Sequence, residues 1–156
     1  MGDHTTGMDD TAQWLEELYR ETGPMLLIYI GQRIDNPDIA EDILQETFAA
    51  ALRSPDRVKN ASSARAYLFG IARNLAATAH RNRRETEPLP QELAVETTGP
   101  DWKLEMMREA MAGLKPEFRE ALELRLQQEM SYEEIATVLR IPLGTVRSRL
   151  HHAVLL

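Results

Sequence analysis

"SYEEIATVLRIPLGTVRSRLHHAV", residues 131–154, is the stretch on which the fold turns. Ser131 followed three residues later by Glu134 is a capping box, so a helix should begin at once. Ile135, Leu139, Ile141, Val146 and Leu150 make an apolar seam that crosses the turn at Arg140-Ile141-Pro142. Two short helices meeting at that turn fit the seam, and Ala136 offers the small side chain that lets the second pack closely. A second helix opening near Pro142-Leu143-Gly144-Thr145 leaves Arg147, Ser148, His151 and His152 outward, with Arg149 beside them. This is the spacing of a helix-turn-helix. Outward arginine and serine on its second helix suit phosphates and base edges in a major groove. A helical hairpin with a solvated basic face is the alternative. A metal reading of His151 and His152 is disfavoured, because adjacent residues point about 100° apart on a helix and the chain has no cysteine.

Upstream of this stretch the chain reads as helices throughout. Residues 1–11 are polar and aperiodic, which predicts a frayed tail. From 12 to 34 apolar residues fall at helical spacing (Trp14, Leu15, Leu18, Tyr19, Met25, Leu26, Tyr29, Ile30), with Gly23-Pro24 marking a break or kink between two pieces. Asn36-Pro37-Asp38 opens a helix: Asn36 as cap, Pro37 in the first turn, Asp38 at the positive dipole end. It should run to about Leu52, bury Ile39, Ile43, Phe48 and Leu52, and end at Ser54-Pro55-Asp56 in a polar loop. Ser62 or Ser63 can cap a long helix to about Arg84 whose apolar set is Tyr67, Leu68, Ile71 and Leu75. "ETEPLPQELAVETTGP", residues 85–100, has three prolines, four glutamates and no sustained period, and reads as an interdomain linker. Trp102, Met106, Met107, Ala110 and Leu114 mark a further helix, and Pro116-Glu117 opens another carrying Phe118, Leu122 and Leu126. The expected fold is all-α: two small helical domains, 12–84 and 101–156, joined by a flexible linker, the second a helix-turn-helix.

Composition excludes several classes. No run approaches the ~20 apolar residues of a membrane span, and no basic segment followed by an apolar one suggests a secretory signal. Without cysteine there is no disulfide framework and no thiolate chemistry. A cytoplasmic protein without membrane insertion, metal or cofactor is expected. The net charge of -7 weighs against a protein that coats DNA. The charge is segregated, however. Residues 35–46 hold Asp35, Asp38, Glu41, Asp42 and Glu46 and no base, whereas 61–84 hold Arg65, Arg73, Arg81, Arg83 and Arg84 and no acid. Two partners of opposite sign are thereby conceivable.

Three segments taken together, "IAEDILQETFAAAL" (39–52), "ARAYLFGIARNLA" (64–76) and "SYEEIA…IPLGTVRSRL" (131–150), resemble the extracytoplasmic-function (ECF) sigma factors of bacterial RNA polymerase. They stand in the family's order with a linker between the second and third. Met130 stands where many members have leucine. The resemblance implies a protein that binds core RNA polymerase, brings it to promoter DNA and helps to melt it, and is not an enzyme. It implies that Asp38, Glu41, Asp42, Gln45 and Glu46 dock on the coiled coil of the polymerase clamp. The melted -10 element would meet Arg65, Tyr67, Arg73, Asn74, Thr78, Arg81, Arg83 and Arg84. Aromatics interleaved with cations suit single-strand capture, and the Asn74 amide offers a base edge both donor and acceptor. The -35 element would meet Thr145, Arg147, Ser148, Arg149, His151 and His152.

The resemblance also implies an anti-sigma partner and a monomer when free. Two departures stand out. Arg140 occupies a turn position where glycine is common. After Leu150, where members continue with basic residues, this sequence gives His151-His152-Ala153-Val154-Leu155-Leu156, so weaker -35 recognition is expected. Two rival readings remain: a sigma-like mimic that sequesters an anti-sigma factor, and a conventional, dimeric helix-turn-helix regulator.

Overall fold

The computed structural model describes residues 3–86, 106 and 109–155, with side chains described for 10–82, 106 and 109–154. Every regular element among them is a helix. The chain divides into two compact units, Met1–Glu85 and Thr86–Leu156. No helix among the described residues is long and apolar enough to cross a membrane.

In the first unit, α1 (Asp3–Gly31) and α2 (Pro37–Arg53) form a hairpin, followed by α3 (Pro55–Asn60) and α4 (Ala64–Thr86). The turn into α2 is built as its residues dictate. Asn36 Oδ1 accepts from the amides of Asp38 (2.9 Å) and Ile39 (3.4 Å), with Pro37 in the first turn. The short connection makes α1 and α2 antiparallel neighbours, and the Tyr19 ring meets Phe48 edge-on at 4.8 Å. Leu15, Leu26, Tyr29, Ile30, Ile43, Leu44, Phe48 and Ala51 line the buried side. Thr47, fully buried on α2, donates its hydroxyl to Ile43 O at 2.7 Å and so costs no unsatisfied donor. α4 joins this core through Phe69, whose ring lies 5.0 Å from that of Tyr29. Ser63 Oγ accepts from Ala66 N at 3.1 Å at its start.

Several expectations change here. The polar stretch 1–11 is helical from Asp3. Gly23-Pro24 breaks nothing: α1 runs through it. A proline inside a helix costs about 3 kcal/mol, but Leu15, Thr22, Leu26 and Tyr29 lie on one uninterrupted buried stripe. Burying each large side chain gains roughly 1.5–3 kcal/mol, and a break would put the two halves out of phase. The polar loop after Ser54 contains α3, whose Val58 is buried while Lys59 lies 5.3 Å over the Trp14 ring. Leu52 is 59% exposed and Ile39 half-buried. On α4 the buried set is Ala66, Leu68, Phe69, Ala72 and Ala76, whereas Tyr67, Ile71 and Leu75 are half-buried. Small residues let α4 approach closely, so its core side is the alanine side.

The second unit comprises α5 (Pro116–Leu126), α6 (Tyr132–Leu139) and α7 (Leu143–Leu155), preceded by a helical turn at 109–112. Ala121, Leu124, Met130, Ile135, Val138, Leu139, Val146, Leu150 and Ala153 close its core. The capping box forms: Ser131 Oγ accepts from Glu134 N, and Ser131 N donates to Glu134 Oε1, both at 3.1 Å. Arg125 braces the α5–α6 loop by donating to Met130 O at 2.8 Å and lying over the Tyr132 ring. Arg140 ends α6 with φ 55 and ψ 47, the left-handed conformation that glycine adopts without strain. Ile141, Phe118 and Leu122 are half-buried and Leu126 is exposed, so the seam is narrower than its spacing suggests. The linker from 87 onward, Trp102 and Met107 lie outside the described residues; α4 itself continues to Thr86.

Candidate functional site

The α1–α2 hairpin sets the geometry of the acidic side of α2. With Ile43, Leu44, Thr47 and Phe48 buried, Asp38, Glu41, Asp42, Gln45 and Glu46 all stand exposed. Asp38, Asp42 and Gln45 recur at steps of four and three residues, within about 60° of one another at ~100° per residue. Leu52 continues that line, which explains its exposure: it is the apolar end of an acidic strip, not a core residue. The expectation that Leu52 is buried rested on hydrophobicity alone. Its phase against Asp38 and Gln45 was the signal that could have placed it. Glu46 is partly neutralised by Arg53, with Nη2 to Oε1 at 2.7 Å. Both side chains are largely in water, so that pair contributes about 0–1 kcal/mol. The net negative character of the strip therefore rests chiefly on Asp38, Glu41 and Asp42.

On α4 the expected nucleic-acid residues separate by phase. Tyr67, Asn74, Thr78 and Arg81 lie within about 60° of arc, turned away from Leu68, Ala72 and Ala76. Thr78 and Arg81 are exposed, Tyr67 and Asn74 half-buried, and Thr78 Oγ1 donates to Asn74 O at 3.0 Å. An aromatic ring, an amide, a hydroxyl and a guanidinium thus share one outward line. Phe69, adjacent in sequence to the motif's aromatic, is fully buried against Tyr29. Arg73 sits about 100° round the helix from that line, half-buried. Arg65 is half a turn away in phase and does not join the strip; it is half-buried too. The side chains of Arg83 and Arg84 lie outside the described ones.

α7 shows a similar partition. Val146, Leu150 and Ala153 face the core. Arg147, Ser148 and His151 are exposed, Ser148 and His151 opposite that core side and Arg147 at about a right angle to it. Thr145, Arg149 and His152 recur at steps of four and three along a flank, Thr145 and Arg149 half-buried. The His152 ring stacks on Phe118 of α5 at 5.6 Å with an interplanar angle of 25°. The six residues therefore do not form one surface. Arg147, Ser148, His151 and His152 are all exposed, and the His152 ring also lies against α5.

Comparison with known proteins matches both halves. Residues 18–86 match Sigma-70 region 2, and residues 104–155 match Sigma-70, region 4. RNA polymerase sigma factor HrpL of Pseudomonas syringae pv. syringae is 31% identical over 152 residues, 89% of this chain and 82% of that one. RNA polymerase sigma factor YlaC of Bacillus subtilis is 33% identical over 150 residues, covering 89% and 87%. A solved structure of the sigma factor RpoE with the anti-sigma factor NepR from Bartonella quintana shares the fold. It has a TM-score of 0.69 at 24% identity, over 88% of this chain and 90% of that one. With two sigma regions in order and relatives matched over most of their length, the chain belongs to the sigma-70 family as an ECF RNA polymerase sigma factor.

Proposed function

We propose that this sigma factor directs core RNA polymerase to promoters by dividing the work among three helical faces. The acidic strip of α2, Asp38 to Glu46 with Leu52 at its end, docks on a basic surface of the polymerase clamp. The α4 line of Tyr67, Asn74, Thr78 and Arg81 receives the melted -10 strand, its ring stacking on a base while the cations neutralise phosphate. The outward side of α7, Arg147, Ser148 and His151, enters the major groove at the -35 element. Residues 12–84 and 101–156 are then the polymerase-and-(-10) and the -35 modules. The free chain is a monomer, and an anti-sigma protein restrains it by covering these faces.

The observation that carries this reading is the exposure of all five α2 positions in the unit that also presents the α4 line. Like charges at i, i+4 destabilise an isolated helix by a few tenths of a kcal/mol per pair. A basic partner reverses that cost. Run-off transcription with purified core polymerase on a library of random-sequence duplexes is the test. Enrichment of templates sharing two spaced elements supports the reading; no template-selective transcript would overturn it in favour of a sigma-like mimic.

A further inference from the structure

Arg140 and Gly144, on either side of the turn into α7, are both residues that weaken the fold where nothing inside it requires them. Arg140 holds φ 55 and ψ 47, a conformation disfavoured for any residue that carries a Cβ. Its side chain is exposed. Among the described residues its guanidinium has no ion pair, hydrogen bond or aromatic ring as partner. Acids stand on both neighbouring helices, Glu117, Glu120 and Glu123 on α5 and Glu133 and Glu134 on α6, yet none pairs with it. Glu134 is held in the capping box instead. Gly144 lies in the first turn of α7, where alanine is the better helix former. Packing does not demand it, since a Cβ there would meet nothing within 4 Å. A strained backbone position with no interior contact to justify it is a sign of function.

Resting on the sigma-factor reading above, we propose that Arg140 is a further DNA contact, holding a backbone phosphate of the -35 duplex at the edge of the groove that α7 enters. In a docked helix-turn-helix the second helix meets base edges with its N-terminal residues while the first crosses the backbone. Arg140 is the residue where the first gives way to the second. Leu143, which opens α7, follows three residues later, a reach of at most about 11 Å for an extended chain. The turn is tighter than that, because the amides of Arg140 and Ile141 both donate to Ala136 O. With α7 seated in a major groove about 12 Å wide, Arg140 stands over the phosphate wall and not over the base edges.

The chemistry of the turn fits that partner. A guanidinium presents a planar fork of donors that matches two phosphate oxygens. The first turn of α7 carries no acid, and the Leu143 and Gly144 amides, at a helix start, have no intrahelical acceptor. The helix dipole adds positive character there, and the bare Cα of Gly144 leaves room for the DNA backbone to come close. Arg140 thus gives up folding stability for a charge placed at the groove edge.

The test uses the full chain with core polymerase on a promoter selected as above, with R140Q, R140K and R140G. R140Q keeps a side chain at the strained position and removes its charge. Its log K should fall less steeply with log[salt], by about 0.9, so that raising salt from about 50 to 200 mM weakens it about 3.5-fold less than the wild type. R140K should keep the wild-type slope. R140G should lose the same increment while its urea midpoint rises, so that binding falls as stability grows. A phosphate carries no sequence information, so R140Q should weaken binding by the same factor on promoters with a substituted -35 element. On a fork template lacking that element it should match the wild type. A wild-type salt slope in R140Q, with selective transcription retained, overturns the proposal and leaves the sigma-factor reading standing. Weaker association of R140Q with core polymerase, with promoter affinity of the assembled complex unchanged, also overturns it and assigns Arg140 to a protein carboxylate. Failure of the wild type to select any promoter overturns that reading and the proposal with it.

Discussion

Arg140 shows what a single backbone position costs. Its φ of 55 puts a side-chain-bearing residue where glycine is unstrained, and the left-handed region costs an L-residue roughly 1–2 kcal/mol. The fold retains it because Arg140 N donates to Ala136 O, Ile141 N reaches that same carbonyl at 3.2 Å, and the buried Leu139 and Val146 fix the turn from either side. Arg140→Gly should raise stability by about 0.5–1 kcal/mol once the greater freedom of unfolded glycine is deducted. Arg140→Val should lower it by at least about 1 kcal/mol, since a β-branched residue is a worse occupant. Urea midpoints measure both. A contrast within α4 belongs to the same scale. Phe69→Ala removes a fully buried ring and should cost about 3–5 kcal/mol. Tyr67→Ala, at a half-buried position, should cost much less in thermal or urea unfolding yet reduce promoter opening, read by permanganate reactivity of unpaired thymines. Equal losses of stability would make Tyr67 a core residue.

At the scale of elements, α2 makes the sharpest prediction. Asp42→Lys with Glu46→Lys leaves the buried residues Ile43, Leu44, Thr47 and Phe48 untouched, so far-UV circular dichroism should keep its helical signature. Association with core polymerase should slow roughly ten- to hundredfold, since exposed interface charges act mainly on the rate of encounter. Unchanged association would remove the docking role. The elements also show what the sequence could disclose. Asn36-Pro37-Asp38 and Ser131-x-x-Glu134 were readable because capping is local: the donors a cap satisfies lie within three residues. Of a break or a kink at Gly23-Pro24, the break does not occur, because a tertiary stripe outweighs one lost hydrogen bond. α4 was legible as a helix but not in its buried face, since Ala72 and Ala76 carry no hydrophobic signal comparable to Ile71 and Leu75. Close helix approach, not hydrophobicity, selects its core side.

For the whole molecule, the division into two units and the segregation of charge explain how a chain of net charge -7 can serve a DNA-directed task. A few phosphate contacts give non-specific affinities of about 10⁻⁴ to 10⁻⁶ M near physiological salt, and overall acidity lowers this further for the free chain. On the proposed reading core polymerase, engaged by α2, would hold both units at once, and tethering two weak binders can add roughly 10²- to 10⁴-fold in avidity. The family and the all-α architecture were legible because three motifs recur in order. Which residues of each motif face outward became clear only with the packing of α1 on α2 and of α5 on α7. The most direct measurement of this division of labour is the fluorescence anisotropy of a labelled, selected promoter titrated with the chain, alone and bound to core polymerase. The account predicts weak, sequence-indifferent binding by the free chain and tight, promoter-specific binding only with polymerase. Tight, specific binding by the free chain would contradict it.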